Sequence, residues 1–533
     1  MTHLDQGAPT QVMGRAAVVY PDAALNRPSY GPPQPAERRT APTPERLPVT
    51  GGLLVALPAM VATLAISMFG IGTRSLWNDE YATWYASTLS WTDLFRLLSH
   101  VDAVLTPYYL AMHGWIAVFG DSPASLRVPS AVAMAAAAGV IALIGRRLFD
   151  PGVGFTAGLL FAALPAVSRY GEEARPYAFA ILAAAGATLL LLRAVDAPSW
   201  RRWMFYGGCL VVAGLLHIVT LTILLPHAVH VWRAFRTHDD FRMFRWIGSV
   251  LLAVTVALPL AAKGSQQSSA ISWIKADGNA VKYLPVQLFG SAQVAIAVIV
   301  IGSAAAWLLW SAHRNAAWLL LAWAVFPPLF CYVTFPILHL FLFRYVLFTI
   351  PAWTLLAASA GFALTRLIRS DEQLRRFSLS ALLVVAGVLY VGLPGQIDAR
   401  RSPVNGEPDF RGAADAVVSG MRPHDGIAFA GNGRNGRIPF AYELRGRAVP
   451  ADVFVARTSQ QNGEFGAQEC DRPTVCVKDT QRVWLVSATE QWESPFAGMP
   501  DTTKTFLASA FTVAEYYRTT RVRVYVLTRK VER

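Results

Sequence analysis

Charge is what this chain is short of. Only 15% of its 533 residues are charged, against roughly a quarter in an average soluble protein, while 54% are hydrophobic and mean hydropathy is +0.37. That shortage excludes an ordinary soluble domain and leaves a polytopic membrane protein. Acidic residues are scarcer than basic ones, 34 against 47, for a net charge of +13. The basic excess does not point to nucleic acid, because Lys and Arg gather in short loops between apolar runs, as membrane orientation requires. Cysteine is scarce too. Cys209 and Cys331 lie in apolar segments, so the close pair Cys470 and Cys476 in the polar carboxy-terminal part is the candidate for a disulfide, provided that part lies outside the cytoplasm; otherwise both are free thiols. No cleavable signal peptide is visible: the first apolar run starts too far in, behind Arg38, Arg39 and Arg46.

What is there is a series of apolar runs of membrane length. They cover residues 51–71, 127–145, 153–168, 176–193, 203–217, 219–235, 246–262, 289–311, 315–335, 344–366 and 377–394, giving about 11 transmembrane helices. Residues 1–50, rich in proline and without periodicity, read as a disordered cytoplasmic tail. With the amino terminus inside, Arg146-Arg147, Arg193 with Arg201-Arg202, Arg233 to Arg245, His313-Arg314 and Arg366 to Arg376 are all cytoplasmic. The opposite side receives Asp79-Glu80, the segment Arg169 to Tyr177, the loop Lys263 to Pro285, His339 with Arg344, and everything after Pro394. The stretch Pro107 to Phe119 is either an outer-surface helix or a further span. The first arrangement is preferred because it keeps the arginine pairs inside.

The outer loop 72–106 follows the first run and carries adjacent carboxylates, Asp79 and Glu80, in Ser75-Leu-Trp-Asn-Asp-Glu-Tyr-Ala-Thr-Trp84. Carboxylates beside a bilayer are costly and commonly handle protons, cations or sugars. Aromatic and leucine residues recur in this loop at near-helical spacing, which predicts amphipathic helices on the membrane surface. After Pro394 the chain turns polar. A helix is expected at Phe410 to Gly420 and strands at Gly426 to Ala430, Val483 to Ser487 and Arg521 to Leu527, so residues 395–533 read as an extracytoplasmic α/β domain after a membrane domain of residues 51–394.

The ordered set WNDE at 77–80, HVDAVLTPYYL at 100–110, SLRVPSA at 125–131, RYGEEARPYAF at 169–179 and FRYVLFTIPAW at 343–353 resembles the GT-C glycosyltransferases. Within them it is most similar to family 39, the protein mannosyltransferase and lipid A aminoarabinose transferase branch. PDFRGAADAV followed by HDGIAFAG is similar to the extracytoplasmic domain that many bacterial members carry. The resemblance implies a multi-pass protein of the bacterial plasma membrane. It would move a sugar, mannose or another pentose or hexose, from a polyprenyl-phosphate donor to a hydroxyl on a protein, glycolipid or polysaccharide acceptor, with inversion. No glycine-rich nucleotide fingerprint follows a strand, as a cytoplasmic nucleotide-sugar enzyme would need.

Such a transfer needs a base at the acceptor hydroxyl, charge stabilisation at the leaving phosphate and positioning of both substrates. The resemblance makes Asp79 the base; the other role open to it is a helix cap. Glu80 would hold the acceptor or a cation, or tune Asp79 by repulsion. His100 and Asp102, two apart, would project to one side of an extended segment and bind sugar hydroxyls or assist proton movement; Asp102 with Asp79 is the candidate pair for a divalent metal. Phosphate calls for arginine. Arg127, Arg175 and Arg344 are the candidates, with Lys263 and Lys275 in a loop, Gly264 to Ser269 within it, able to cover the site; Arg175 alternatively pairs with Glu172 or Glu173. Tyr108, Tyr177 and Tyr345 would stack on sugar or lipid, or serve as interface aromatics. His217 and His339 are substrate contacts or packing residues. Two other classes remain: a transporter or flippase, which would place ionisable groups deep within spans, and a noncatalytic membrane scaffold, which has no use for charges gathered on one side.

Overall fold

The computed structural model describes residues 49–530 apart from 238–242, 312, 368–372, 404–405, 431–435, 478 and 489–493. The expected amino-terminal tail lies outside the described residues. The chain opens with α1 (Val49–Met68), followed by a connecting segment of three helices, α2 (Asn78–Thr88), α3 (Trp91–His100) and α4 (Thr106–Phe119). Next come α5 (Pro123–Leu148), α6 (Pro151–Ala163), α7 (Pro165–Gly171), α8 (Tyr177–Asp196), α9 (Trp200–Leu216), α10 (Leu224–Thr237) and α11 (Met243–Gln266). The helical part ends with α12 (Gly278–Phe289), α13 (Ala292–Leu309), α14 (Arg314–Val333), α15 (Phe335–Leu338), α16 (Ile350–Leu367) and α17 (Gln373–Asp398).

Every apolar run read from the sequence falls on one of these helices. Among the described residues 8 helical stretches are long and apolar enough to cross a membrane alone, two of them (Ile218–Thr237 and Phe343–Ala363) counting the 3-10 turns that lead into α10 and α16, and 9 if the bent pair α6 and α7 counts as one span. The remaining two runs correspond to α9 and α17, whose apolar stretches are shorter. Helix α4, of 14 residues, spans about 21 Å, short of the roughly 30 Å hydrocarbon core. Outward-facing apolar side chains, such as Leu54 at 76% and Trp307 at 78% exposure, fit lipid and not water.

Small residues let the helices meet closely, because lipid supplies no hydrophobic drive for association. A Cβ on Gly154 of α6 would lie 2.3 Å from the Ala142 carbonyl of α5, so glycine is required at that crossing. Pro165 has the larger consequence. It pushes Leu164 out of the helical region, to φ −72° and ψ 130°, and α7 leaves α6 at a 67° bend. That bend delivers Arg169, Glu172 and Glu173 to the end of the bundle where α2 begins.

At another level of the bundle a polar chain joins four helices. Trp246 Nε1 donates to Tyr206 Oη at 3.3 Å, and Tyr206 and His227 Nδ1 are 3.0 Å apart; His227 Nε2 and Thr188 Oγ1 are also 3.0 Å apart, and Thr188 donates to the Ala184 carbonyl at 2.8 Å. With the His227 proton on Nε2, every donor finds its acceptor. Replacing His227 with Leu leaves the Tyr206 hydroxyl without its acceptor, while Thr188 keeps its bond to the Ala184 carbonyl, so thermal unfolding in detergent should show a destabilisation of about 1–3 kcal/mol. An unchanged midpoint would remove this chain as a fastening.

Beyond α17, α18 (Phe410–Gly420) precedes a sheet of order β2-β1-β5-β7-β6. Its strands are β1 (Gly426–Ala430), β2 (Ala451–Asp452), β5 (Arg482–Ser487), β6 (Phe511–Thr519) and β7 (Val522–Arg529); a separate pair joins β3 (Val455–Arg457) to β4 (Gln468–Glu469). β1 runs parallel to β2 and β5, and β7 antiparallel to β5 and β6. Both β1 and β5 are buried throughout, as their apolar runs require. The helix and strands expected from the sequence are present, and Cys470 is bonded to Cys476.

Candidate active site

Trp77 is extended at the start of α2, and Glu80, three residues on, accepts its backbone N–H at 3.3 Å. Glu80 therefore supplies the carboxylate of a helix cap. It is wholly buried. Arg127 of α5 grips it in bidentate fashion, Nε to Oε1 and Nη2 to Oε2 both at 2.7 Å, and the Ala174 backbone N–H adds a bond of 3.0 Å. Burial alone would raise its pKa, but Arg127 overrides this and holds the carboxyl down to about 2. Arg127 spends its remaining N–H groups on the carbonyls of Ile71, Arg74 and Ser75 at 2.9–3.0 Å. With all five donors used, it has none left for a lipid phosphate. Both residues serve to set the start of α2 against the bundle.

Asp79 faces the other way. Its Oδ2 lies 3.5 Å from Arg344 Nη2 and 4.0 Å from Arg175 Nε. Arg344 stands just before α16, packed between the rings of Trp77, at 5.4 Å, and Trp273, at 5.5 Å. Arg175 lies between α7 and α8 and reaches Tyr109 Oη at 3.5 Å, which donates to Asp102 Oδ2 at 2.8 Å. Tyr177 and Tyr345 flank His217, with ring centroids at 5.8 and 5.2 Å. Seven residues singled out from the sequence, Asp79, Asp102, Arg175, Tyr177, His217, Arg344 and Tyr345, thus converge around one centre.

Other candidates are placed elsewhere. His100 ends α3 exposed, its Nδ1 2.9 Å from the Arg96 carbonyl, while Asp102 adopts a left-handed conformation at φ 57°. Val101 between them is extended, but His100 closes a helix and Asp102 is left-handed, so they do not project together. His339, also left-handed, packs its ring on Phe335 at 5.0 Å. Tyr108 packs against Phe179 at 6.1 Å, and its neighbour Tyr109 carries the polar contact. Lys263 to Gln266 are the last turn of α11, and Gln267 fastens the loop by bonding Ala103 N and Leu98 O at 2.9 and 3.1 Å. Trp273, which the sequence did not single out, is the loop residue that meets Arg344.

Glu172 and Glu173 enter a buried network behind the centre. Arg400 at the end of α17 pairs with Glu172 at 3.0 Å, Arg74 Nη2 donates to the Glu172 carbonyl at 2.7 Å, and Arg169 pairs with Glu173 at 3.2 Å and with Glu407. Arg175 is therefore paired with Asp79 and not with these glutamates. Burial pushes the Glu173 carboxyl up to about 7 despite Arg169. A group raised above its unfolded value of about 4.3 adds stability below that pH and loses it as pH climbs through about 7. Stability should therefore fall between pH 5 and pH 8 by on the order of 1–3 kcal/mol, read as a lower melting temperature, and Glu173→Gln should reduce that slope. An identical slope in the variant would assign the dependence elsewhere.

Among the described residues no group of three His, Cys, Asp or Glu side chains gathers to hold a metal.

Residues 103–262 match the family model described as dolichyl-phosphate-mannose-protein mannosyltransferase. No curated protein sequence matches the chain. Two crystal structures of ArnT from Cupriavidus metallidurans, one apo and one bound to undecaprenyl phosphate, align at 14% identity with a TM-score of 0.56; the apo form covers 90% of this chain and 98% of its own, the bound form 89% and 98%. The oligosaccharyltransferase of Archaeoglobus fulgidus, in complex with Zn and sulfate, aligns at 13% identity over 87% of this chain and 72% of its own, with a TM-score of 0.47. The chain shares the fold of ArnT over nine-tenths of its length, and its residues 103–262 match the mannosyltransferase family model.

Proposed function

We propose that the chain transfers a sugar from a polyprenyl-phosphate donor to an acceptor hydroxyl outside the cytoplasm, with inversion. The observation that carries this is Asp79 facing two guanidinium groups, Arg175 and Arg344, at one end of an apolar bundle. The arginines take the phosphate that the sugar leaves behind, and Asp79 takes the proton of the incoming hydroxyl. The acceptor oxygen bonds to the anomeric carbon as the carbon–phosphate-oxygen bond breaks, and attack from the opposite face inverts that carbon. Tyr177, Tyr345 and His217 line the centre where a sugar ring would lie. Undecaprenyl phosphate bound to the related ArnT fold supports a lipid-phosphate donor. The bonded Cys470 and Cys476 support an oxidising compartment for the carboxy-terminal domain.

The test is transfer by the purified protein from a panel of radiolabelled polyprenyl-phosphate sugars, pentoses and hexoses, to membrane extracts. Transfer from one donor class is expected; background counts from every donor would shift the reading to a flippase or scaffold. Two arginines already bring positive charge to the phosphate, so initial rates should stay within about twofold in EDTA. A loss that a divalent cation restores would instead assign that cation to Asp79 and Asp102.

A further inference from the structure

We infer that the carboxy-terminal domain forms the second jaw of a clamp on α2, and that Tyr442 is a positioning residue for Asp79. The inference rests on the proposed role of Asp79 and goes beyond it. One face of α2 is held by the bundle: Glu80 through Arg127, and Thr83 through its bond of 3.0 Å to the Ala174 carbonyl. The next face carries Tyr81 and Trp84, which are 1% and 8% exposed. What buries them comes from beyond residue 400. Tyr442 sets its ring edge-on against both, with centroids at 5.5 and 5.1 Å, and Phe410 packs on Tyr81 at 5.8 Å.

Polar bonds fix the orientation. Tyr81 Oη donates to Glu443 Oε1 at 2.7 Å, Trp84 Nε1 donates to Asp121 Oδ2 at 2.8 Å, and Tyr442 Oη donates to the Asp121 carbonyl at 3.1 Å. Side chains of α2, α3 and α4 therefore share one hydrophobic core with α18, β5 and β7. Asp79 lies in the first turn of this helix, so a small rotation of α2 moves its carboxylate relative to Arg175 and Arg344. Misplacement of that kind costs turnover more than binding. The domain acts on the chemistry through the helix, whatever it does for the acceptor.

The test compares the full chain with Tyr442→Ala, Tyr442→Phe and Tyr81→Phe by hydrogen exchange and by kinetics. Tyr442→Ala should speed amide exchange in residues 78–88 at least about tenfold while that of 177–196 stays unchanged, and should lower kcat about tenfold to a hundredfold with donor KM within about twofold. Tyr442→Phe keeps the ring and should restore both to within about threefold. Unchanged exchange in α2, or unchanged kcat, overturns the inference. If Tyr442→Ala does not fold, Tyr81→Phe, which removes only the bond to Glu443, decides: faster α2 exchange and a drop in kcat support the clamp, and wild-type values of either contradict it. Failure of the wild type to transfer from any donor would overturn the proposed function, whereas the exchange measurement judges the clamp without reference to turnover.

Discussion

Asn in place of Asp79 should lower kcat for sugar transfer by at least about a thousandfold, because the variant keeps the shape of the side chain and loses its ability to accept a proton. Donor binding should respond in the opposite sense. The Asp79 carboxylate is an anion that Arg175 and Arg344 face. Removing its charge leaves both guanidinium groups freer for phosphate, so the dissociation constant for a polyprenyl phosphate should hold or fall. Arg344→Ala should weaken the same binding about tenfold or more, since a charge-assisted contact is lost. Equilibrium binding of radiolabelled polyprenyl phosphate, alongside turnover, separates the two roles. Normal turnover in Asp79→Asn would remove it as the base.

The second large effect falls on folding. Arg127→Met leaves the Glu80 carboxylate buried without its bidentate partner and strands the carbonyls of Ile71, Arg74 and Ser75. An uncompensated buried charge costs about 3–5 kcal/mol, enough to remove most monodisperse protein on size exclusion in detergent. Glu80→Leu together with Arg127→Met removes both charges and should recover part of that loss, giving a coupling energy well above zero in a double-mutant cycle. Equal behaviour of the single and double variants would show that the pair does not hold α2.

The helices were legible because lipid-facing runs need about twenty apolar residues, a signal that survives low identity. The α/β domain showed through β1 and β5, whose continuous apolar runs mark buried strands. Asp79, Arg175, Arg344, Tyr177 and His217 could be picked out as charges and aromatics near span ends, but not their division of labour. Adjacent in sequence, Asp79 and Glu80 point to different sides of α2, because neighbours on a helix lie about 100° apart. Only the fold shows that Glu80 meets Arg127, 47 positions away. The pairing of Tyr109 with Asp102 was hidden by the left-handed turn at Asp102, where an extended segment was expected. Trp273 and Tyr442 carried no local signal at all: their roles depend on partners in distant elements.

The side of the membrane on which Asp79 lies decides whether a lipid-linked sugar can reach it. Thr73, exposed and six residues before Asp79, provides the handle. Of the native cysteines, Cys209 and Cys331 lie in the bundle and Cys470 is bonded to Cys476. With Thr73→Cys, a membrane-impermeant maleimide should label intact cells as fully as permeabilised ones. Labelling that appears only after permeabilisation would put Asp79 on the cytoplasmic face and contradict transfer outside the cytoplasm.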